Sequence, residues 1–300
     1  MTQFLDVRLS PVGGELSTCV AIHQGTTIHD YAGLDRSQLL NDIQGRHVLL
    51  GTHGFNVNRA DGIAGLSRWE SLLRLSASSP VNSLATGTVF VGILWPGDSV
   101  YAHGLDYPEE PRVANDAGER LIAPFLDANF TGAASLSFVS HSLGARLVLK
   151  TVAHMELPVR RVILMAGAVG DNCLNTEFRA AAAKIDQISV LASRKDEALS
   201  LAYPLGNLAA GIIAEGHPWW RSALGHSGPS KPRPRNFLPP FAIPDNWEFR
   251  HGSYLQQEPP PVPVLPLPVD VPPNHTPEPA NGVPGWHEAF SSAFCSTRFQ

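Results

Sequence analysis

The chain has 300 residues, 43% of them apolar, enough for one large domain or two small ones and for a core that needs no metal or disulfide staple. Charged residues make up only 16%, and 22 basic against 27 acidic side chains leave a net charge of -5, which argues against a nucleic-acid or anionic-membrane binder. No apolar run approaches the ~18 residues of a membrane span, the opening MTQFLDVRLS has no export signal, and Cys19, Cys173 and Cys295 are too far apart for a disulfide framework or metal knuckle. The expectation is a cytoplasmic chain with reduced thiols.

In chain order, residues 4–9 and 18–23 alternate apolar and polar, as an antiparallel pair at a sheet edge does. Residues 47–52 (HVLLGT) then form the first buried strand, running into His53-Gly54-Phe55-Asn56. A glycine there lets backbone come close to a ligand, and the bland alternative is a glycine turn closing a strand. Residues 63–75 carry apolar side chains at helical spacing, residues 88–95 (TVFVGILW) read as a second buried strand, and 113–126 as a second helix.

The most informative stretch is 135–150, SLSFVSHSLGARLVLK, a buried strand, a tight turn and a helix. Ser142, with small Ser140 and Gly144 two positions to either side, fits the GxSxG nucleophile elbow with serine in place of the first glycine. Such a turn lifts a hydroxyl off the sheet edge beside a helix N-terminus that favours developing negative charge. The plainer reading makes Ser142 an N-cap. In a hydrolase of this type the amide of Leu143 supplies one oxyanion donor and that of Phe55 the other, with His53 and Asn56 holding the second loop by side-chain hydrogen bonds.

Two further strands follow at 159–166 (VRRVILMA) and 187–192 (QISVLA). Strands alternating with helices predict an α/β architecture, a mostly parallel central sheet with helices on both faces. The acid of a Ser, acid, His order falls after one of these strands: Asp196, which could equally be an N-cap, is favoured over Asp171. The base must come later, and His251, in an island between prolines, is favoured over His226; His154 lies too far along the helix after Ser142, and His275 sits among prolines. Seventeen of the 26 prolines fall between Pro229 and Pro284. Residues 1–257 are therefore read as one domain and 258–300 as a proline-rich extension, packed on that domain because Trp286, Phe290 and Phe294 need cover.

Taken together, HGFN, LWPGDSVYAHGLDYPEE, SHSLG, VLASRKDEAL and a late His-Gly-Ser-Tyr resemble a family of serine hydrolases of the α/β-hydrolase fold, long carried as a domain of unknown function. Its patterns run HGYN, WPS with a following tyrosine, a small-residue elbow, SxxDxAL and HSYY, and the similarity spans about residues 45 to 255. The resemblance implies Ser142, Asp196 and His251 as the triad, Phe55 and Leu143 as oxyanion donors, and an RLGxxGP-like turn around Leu224 to Pro229 that demotes His226. It also implies a lid-like loop over 97–111, with Tyr101 and Tyr107, besides His53 and Asn56, near substrate. Departures are Gly97, where the family often has serine, and Gly252 inserted after the histidine. No Walker loop, GxGxxG, HExxH or CxxC motif is present, so no cofactor or metal is expected. The expected activity is carboxylic ester hydrolysis on a small-molecule substrate; a non-catalytic binding module, or an amidase or thioesterase using the same residues, is the alternative.

Overall fold

The computed structural model describes residues 1–11, 15–75, 87–98, 110–202, 221–238, 241–243, 245 and 249–255. The expected lid residues Tyr101 and Tyr107, the boundary at 257 and the proline-rich extension lie outside the described residues. Among those described, nine strands make one sheet: β1 (Thr2–Arg8), β2 (Leu16–Gly25), β3 (Ala32–Gly33), β4 (His47–Thr52), β5 (Val89–Leu94), β6 (Ser135–His141), β7 (Val159–Met165), β8 (Ile185–Ser193) and β9 (Phe241–Ile243). Their spatial order is β3-β2-β1-β5-β4-β6-β7-β8-β9. The edge pairs β3-β2 and β2-β1 are antiparallel and every other pair is parallel. This is the α/β sheet read from the sequence, with two short edge strands, β3 and β9, added.

Parallel strands covered on both sides read as continuous apolar runs, and here they are nearly dry. All six residues of β5 are buried, as are five of the six in β4. Glycines set how close the first helical layer comes. A Cβ on Gly51 of β4 would lie 2.5 Å from Phe90, and one on Gly92 of β5 would lie 2.6 Å from Phe4, with Leu66 next in both cases. Leu66 belongs to α2 (Arg59–Leu75), which therefore sits low over β4 and β5.

A second group of helices gathers around α5 (Gly144–His154), which is buried nearly all round: Gly144 to Leu149, Thr151 and Val152 are all covered. Against it pack α3 (Glu110–Asp116), a π-helical segment (Ala117–Ile122) and α4 (Ala123–Asn129). The sequence reads one regular helix over this span; the structure inserts the wide turn ahead of Pro124, which has no N–H for the i-4 carbonyl. Gly118 allows the close approach, since a Cβ there would meet the Leu147 carbonyl at 2.6 Å. Further helices of the described residues are α1 (Arg36–Ile43), whose N-cap Asp35 accepts from the Ser37 amide, α6 (Arg179–Lys184) and the short α7 (Leu224–Ser227). No helix of the described residues is long and apolar enough to cross a membrane.

Candidate active site

Strand β6 ends at His141 and α5 begins at Gly144, leaving two residues to reverse the chain. Ser142 does so at φ 52, a left-handed conformation that few serines adopt. Neighbouring strands over-determine it: the Ser142 amide donates to the Met165 carbonyl at 3.0 Å, and the Ser142 carbonyl accepts from Ala168 at 3.0 Å and Ala145 at 3.1 Å. The N-cap of α5 is Leu143, with no side-chain cap bond, so the Ser142 hydroxyl is not used as a cap. It faces an imidazole instead: Ser142 Oγ and His251 Nε2 are 3.0 Å apart.

The other ring nitrogen of His251 meets Asp196 Oδ2 at 2.8 Å. A carboxylate only accepts, so Nδ1 carries the proton and Nε2 presents its lone pair to the hydroxyl. Asp196 is fully buried just beyond β8, and its Oδ1 accepts from the Leu199 amide at 3.0 Å. It is thus both partner of the histidine and cap of the turn that follows, a π-helical turn (Ala198–Ala202) rather than the expected regular helix. Asp171 is engaged elsewhere, with Arg221 at 2.9 Å, and His226 Nδ1 meets Ser222 Oγ at 3.3 Å.

His251 opens a 3-10 turn (His251–Leu255) held from two sides. The Ser193 hydroxyl at the end of β8 donates to the Phe249 carbonyl, and Arg250 and Ser253 exchange bonds of 2.9 Å. A Cβ at Gly252 would meet nothing within 4 Å, so the inserted residue sits where the turn has room. Tyr254, one place further on, is fully buried edge-on against Phe249, and burial, then the Asp196 charge, push its phenol well above the ordinary value.

The loop after β4 lies directly against the elbow. A Cβ on Gly54 would fall 2.7 Å from Ser142 Cβ, and one on Gly144 would fall 2.4 Å from the His53 carbonyl, so these glycines permit the contact. The loop carrying Phe55 is thereby brought to the Ser142 side, with Leu143 following the serine directly. Two neighbours were expected to hold this loop by side-chain hydrogen bonds and to stand near substrate. His53 is buried and makes such bonds: Nδ1 donates to the Gly54 carbonyl at 2.9 Å, Nε2 accepts from the Trp95 amide at 3.4 Å, and the ring stacks on Trp95. Burial drops its pKa to about 3. Asn56 works through its backbone: at φ 58 its amide reaches the Gly97 carbonyl, while the residue itself is exposed. Gly97 in turn has no room for the serine of the pattern, because a Cβ would meet the Trp95 ring at 2.8 Å and the Gly54 carbonyl at 3.0 Å.

Two residues here escape the sequence reading. His141 packs on His251 at a centroid distance of 4.7 Å and bonds to its carbonyl at 2.9 Å. Arg8 of β1 is buried and donates to the carbonyls of Trp95 at 2.7 Å and Val57 at 3.2 Å, tying together the loops after β5 and β4. For Arg8, at the end of a strand that also carries Asp6, the sequence held no distinguishing signal, and for His141 it held only the place beside the serine.

No curated protein matches the chain. Among solved structures it is similar to esterase PE8 (18% identity over 57% of this chain and 80% of that one, TM-score 0.34) and to the Pyrococcus furiosus esterase Pf2001 (10%, 57% and 71%, TM-score 0.31). It is also similar to a prolyl endopeptidase (15%, 78% of this chain but 32% of that one, TM-score 0.32). A family model described as alpha/beta hydrolase of unknown function, DUF900, matches residues 35–227, which is 193 of the 300 positions, and the chain belongs to that family.

Proposed function

We propose that the chain is a serine hydrolase that cleaves carboxylic esters through an acyl-enzyme on Ser142. The observation that carries this reading is the unbroken line from Ser142 Oγ through both nitrogens of His251 to Asp196, at 3.0 and 2.8 Å. His251 Nε2 takes the hydroxyl proton as Oγ attacks the acyl carbon, and the imidazolium so formed is stabilised by the buried Asp196 carboxylate. The amides of Leu143 and Phe55 receive the oxyanion. The imidazolium then protonates the departing alkoxide, and a water activated by the same nitrogen releases the acid and frees Ser142. Ester rather than amide is the choice of least demanding leaving group, since thioesters and amides would use the same groups.

A rapid-mixing assay with p-nitrophenyl acetate and butyrate tests it. The expected result is a burst of p-nitrophenolate near one equivalent per protein, followed by slower turnover, and an acetylated Ser142 in acid-quenched samples. Turnover without any burst or acyl adduct would argue for direct hydrolysis, and no turnover of esters or thioesters for a binding module.

A further inference from the structure

The hydrolase reading leaves unexplained a buried polar ring beside it. His141 precedes Ser142, is 4% exposed, and is wedged among three elements. The His251 ring lies 4.7 Å away and the Tyr254 ring 5.9 Å away, and a Cβ on Gly54 would come within 3.2 Å of His141 Nδ1. Its Nε2 stands 2.9 Å from the main-chain carbonyl of His251. A carbonyl oxygen only accepts, so His141 is the Nε2–H tautomer and Nδ1 keeps a bare lone pair, which has no hydrogen-bond partner among the described residues. A ring that merely filled space would do better as phenylalanine, which leaves no polar atom unmet.

We propose that His141 is a positioning residue: its Nε2–H bond to the His251 carbonyl holds the catalytic base in register with the serine next to it in the chain. This rests on the serine-hydrolase reading of the site. The 3-10 turn carrying His251 is a single turn of weak internal bonding. Among the described residues its other ties from outside the turn reach Phe249 and Arg250, whereas this one reaches the main chain of His251 itself. Because its donor is the immediate neighbour of Ser142, the nucleophile and the support of its base sit on one rigid stretch of β6 and shift together. Burial, then the charge that His251 acquires, hold His141 at a pKa of about 3, so it stays a neutral donor throughout turnover. The groups facing it are His251, Tyr254 and His53.

The test compares the full chain with His141→Phe and His141→Gln, the glutamine amide nitrogen reaching about where Nε2 stands. A displaced base costs rate rather than binding. His141→Phe should lower kcat for a p-nitrophenyl ester roughly 10- to 100-fold with KM within about threefold. His141→Gln should recover to within about fivefold of the parent. Both variants matching the parent, or both falling equally, would overturn the proposal. Should His141→Phe not fold, nitrogen-15 NMR of the unmodified chain decides: a slowly exchanging Nε2–H and a bare Nδ1 are expected, and an Nδ1–H tautomer or a rapidly exchanging proton would overturn it. A parent that neither turns over esters nor reacts with a fluorophosphonate would sink the hydrolase reading, and this inference with it.

Discussion

Two of the places where charge is buried among the described residues handle it in opposite ways. At the β1-β5 side, Arg8, Asp6 and Asp98 are each at most 4% exposed. There guanidinium meets carboxylate: Arg8 pairs with Asp98, and Arg59 with Asp6 at 3.0 Å, with the Tyr31 hydroxyl adding a bond of 2.9 Å to Asp6. Desolvation lowers the Arg8 pKa only to about 10, so it remains a cation at neutral pH. Beyond β8, Asp196 is fully buried, and its two oxygens meet an imidazole nitrogen and an amide. A cluster whose guanidinium groups already face carboxylates is a fastener that gains nothing from further charge. A buried carboxylate held by an imidazole nitrogen and an amide, with no guanidinium beside it, is placed to stabilise a cation that forms on its partner, and on the proposed function proton transfer from Ser142 to His251 would create one. One site holds loops; the other, on the proposed function, would be completed during a reaction.

Substitutions can break that contrast. Ser142→Ala and His251→Ala should each remove esterase turnover by about 10⁴-fold or more while leaving thermal unfolding nearly unchanged. Asp196→Asn should cost two to four orders of magnitude in kcat, because an amide neither stabilises the imidazolium nor fixes the Nδ1–H tautomer. Its urea midpoint should stay close to the parent's, since a buried charge is removed along with its bond. Asp171→Asn, which loses only the Arg221 contact, should stay within about tenfold, or ~1.4 kcal/mol of barrier. Reversed behaviour of the two aspartates would move the acid to the preceding strand.

The fastening cluster should respond the other way. Arg8→Met leaves Asp98 buried without its guanidinium, and unfolding in urea should show a loss of about 3–5 kcal/mol. A loss below ~1 kcal/mol would mean that the cluster is not the clamp its geometry describes. Acid sharpens the comparison further, because His53 and His141 are buried in a third manner, as neutral rings with pKa values of about 3. In the unfolded chain such rings take up protons below about 6.5. Between there and about 3 the unfolded state binds more protons, so stability falls as pH falls, by at most ~1.4 kcal/mol per pH unit for each ring. Urea midpoints at pH 7 and pH 5 should show this decline, and His53→Gln should make it shallower.

How far the chain could be read beforehand follows from burial. The runs at 47–52, 88–95, 135–139, 159–166 and 187–192 lie within a residue or two of strands β4 to β8, because strands covered on both sides leave long apolar stretches. The elbow was legible because a serine between small residues at a strand-helix junction is chemically unusual. What stayed hidden depends on distant chain segments. The wide turn at 117–122 stands ahead of Pro124 and packs on α5 through Gly118, β3 is two exposed residues, and β9 is three residues at the far edge. His53 looked like a site residue because it adjoins the glycine loop; only the Trp95 strand end shows that its nitrogens are taken. Asn56 announced itself as a side chain but serves as one of the few residue types at ease in a left-handed backbone.

The central claim, that His251 activates Ser142 against electrophiles, is tested most directly by treating the folded chain with a fluorophosphonate and locating the adduct by peptide mass spectrometry. The account predicts a single phosphonylated serine, Ser142, with labelling lost in His251→Ala and strongly slowed in Asp196→Asn. An unlabelled Ser142 in folded protein, or equal labelling of the parent and His251→Ala, would contradict it.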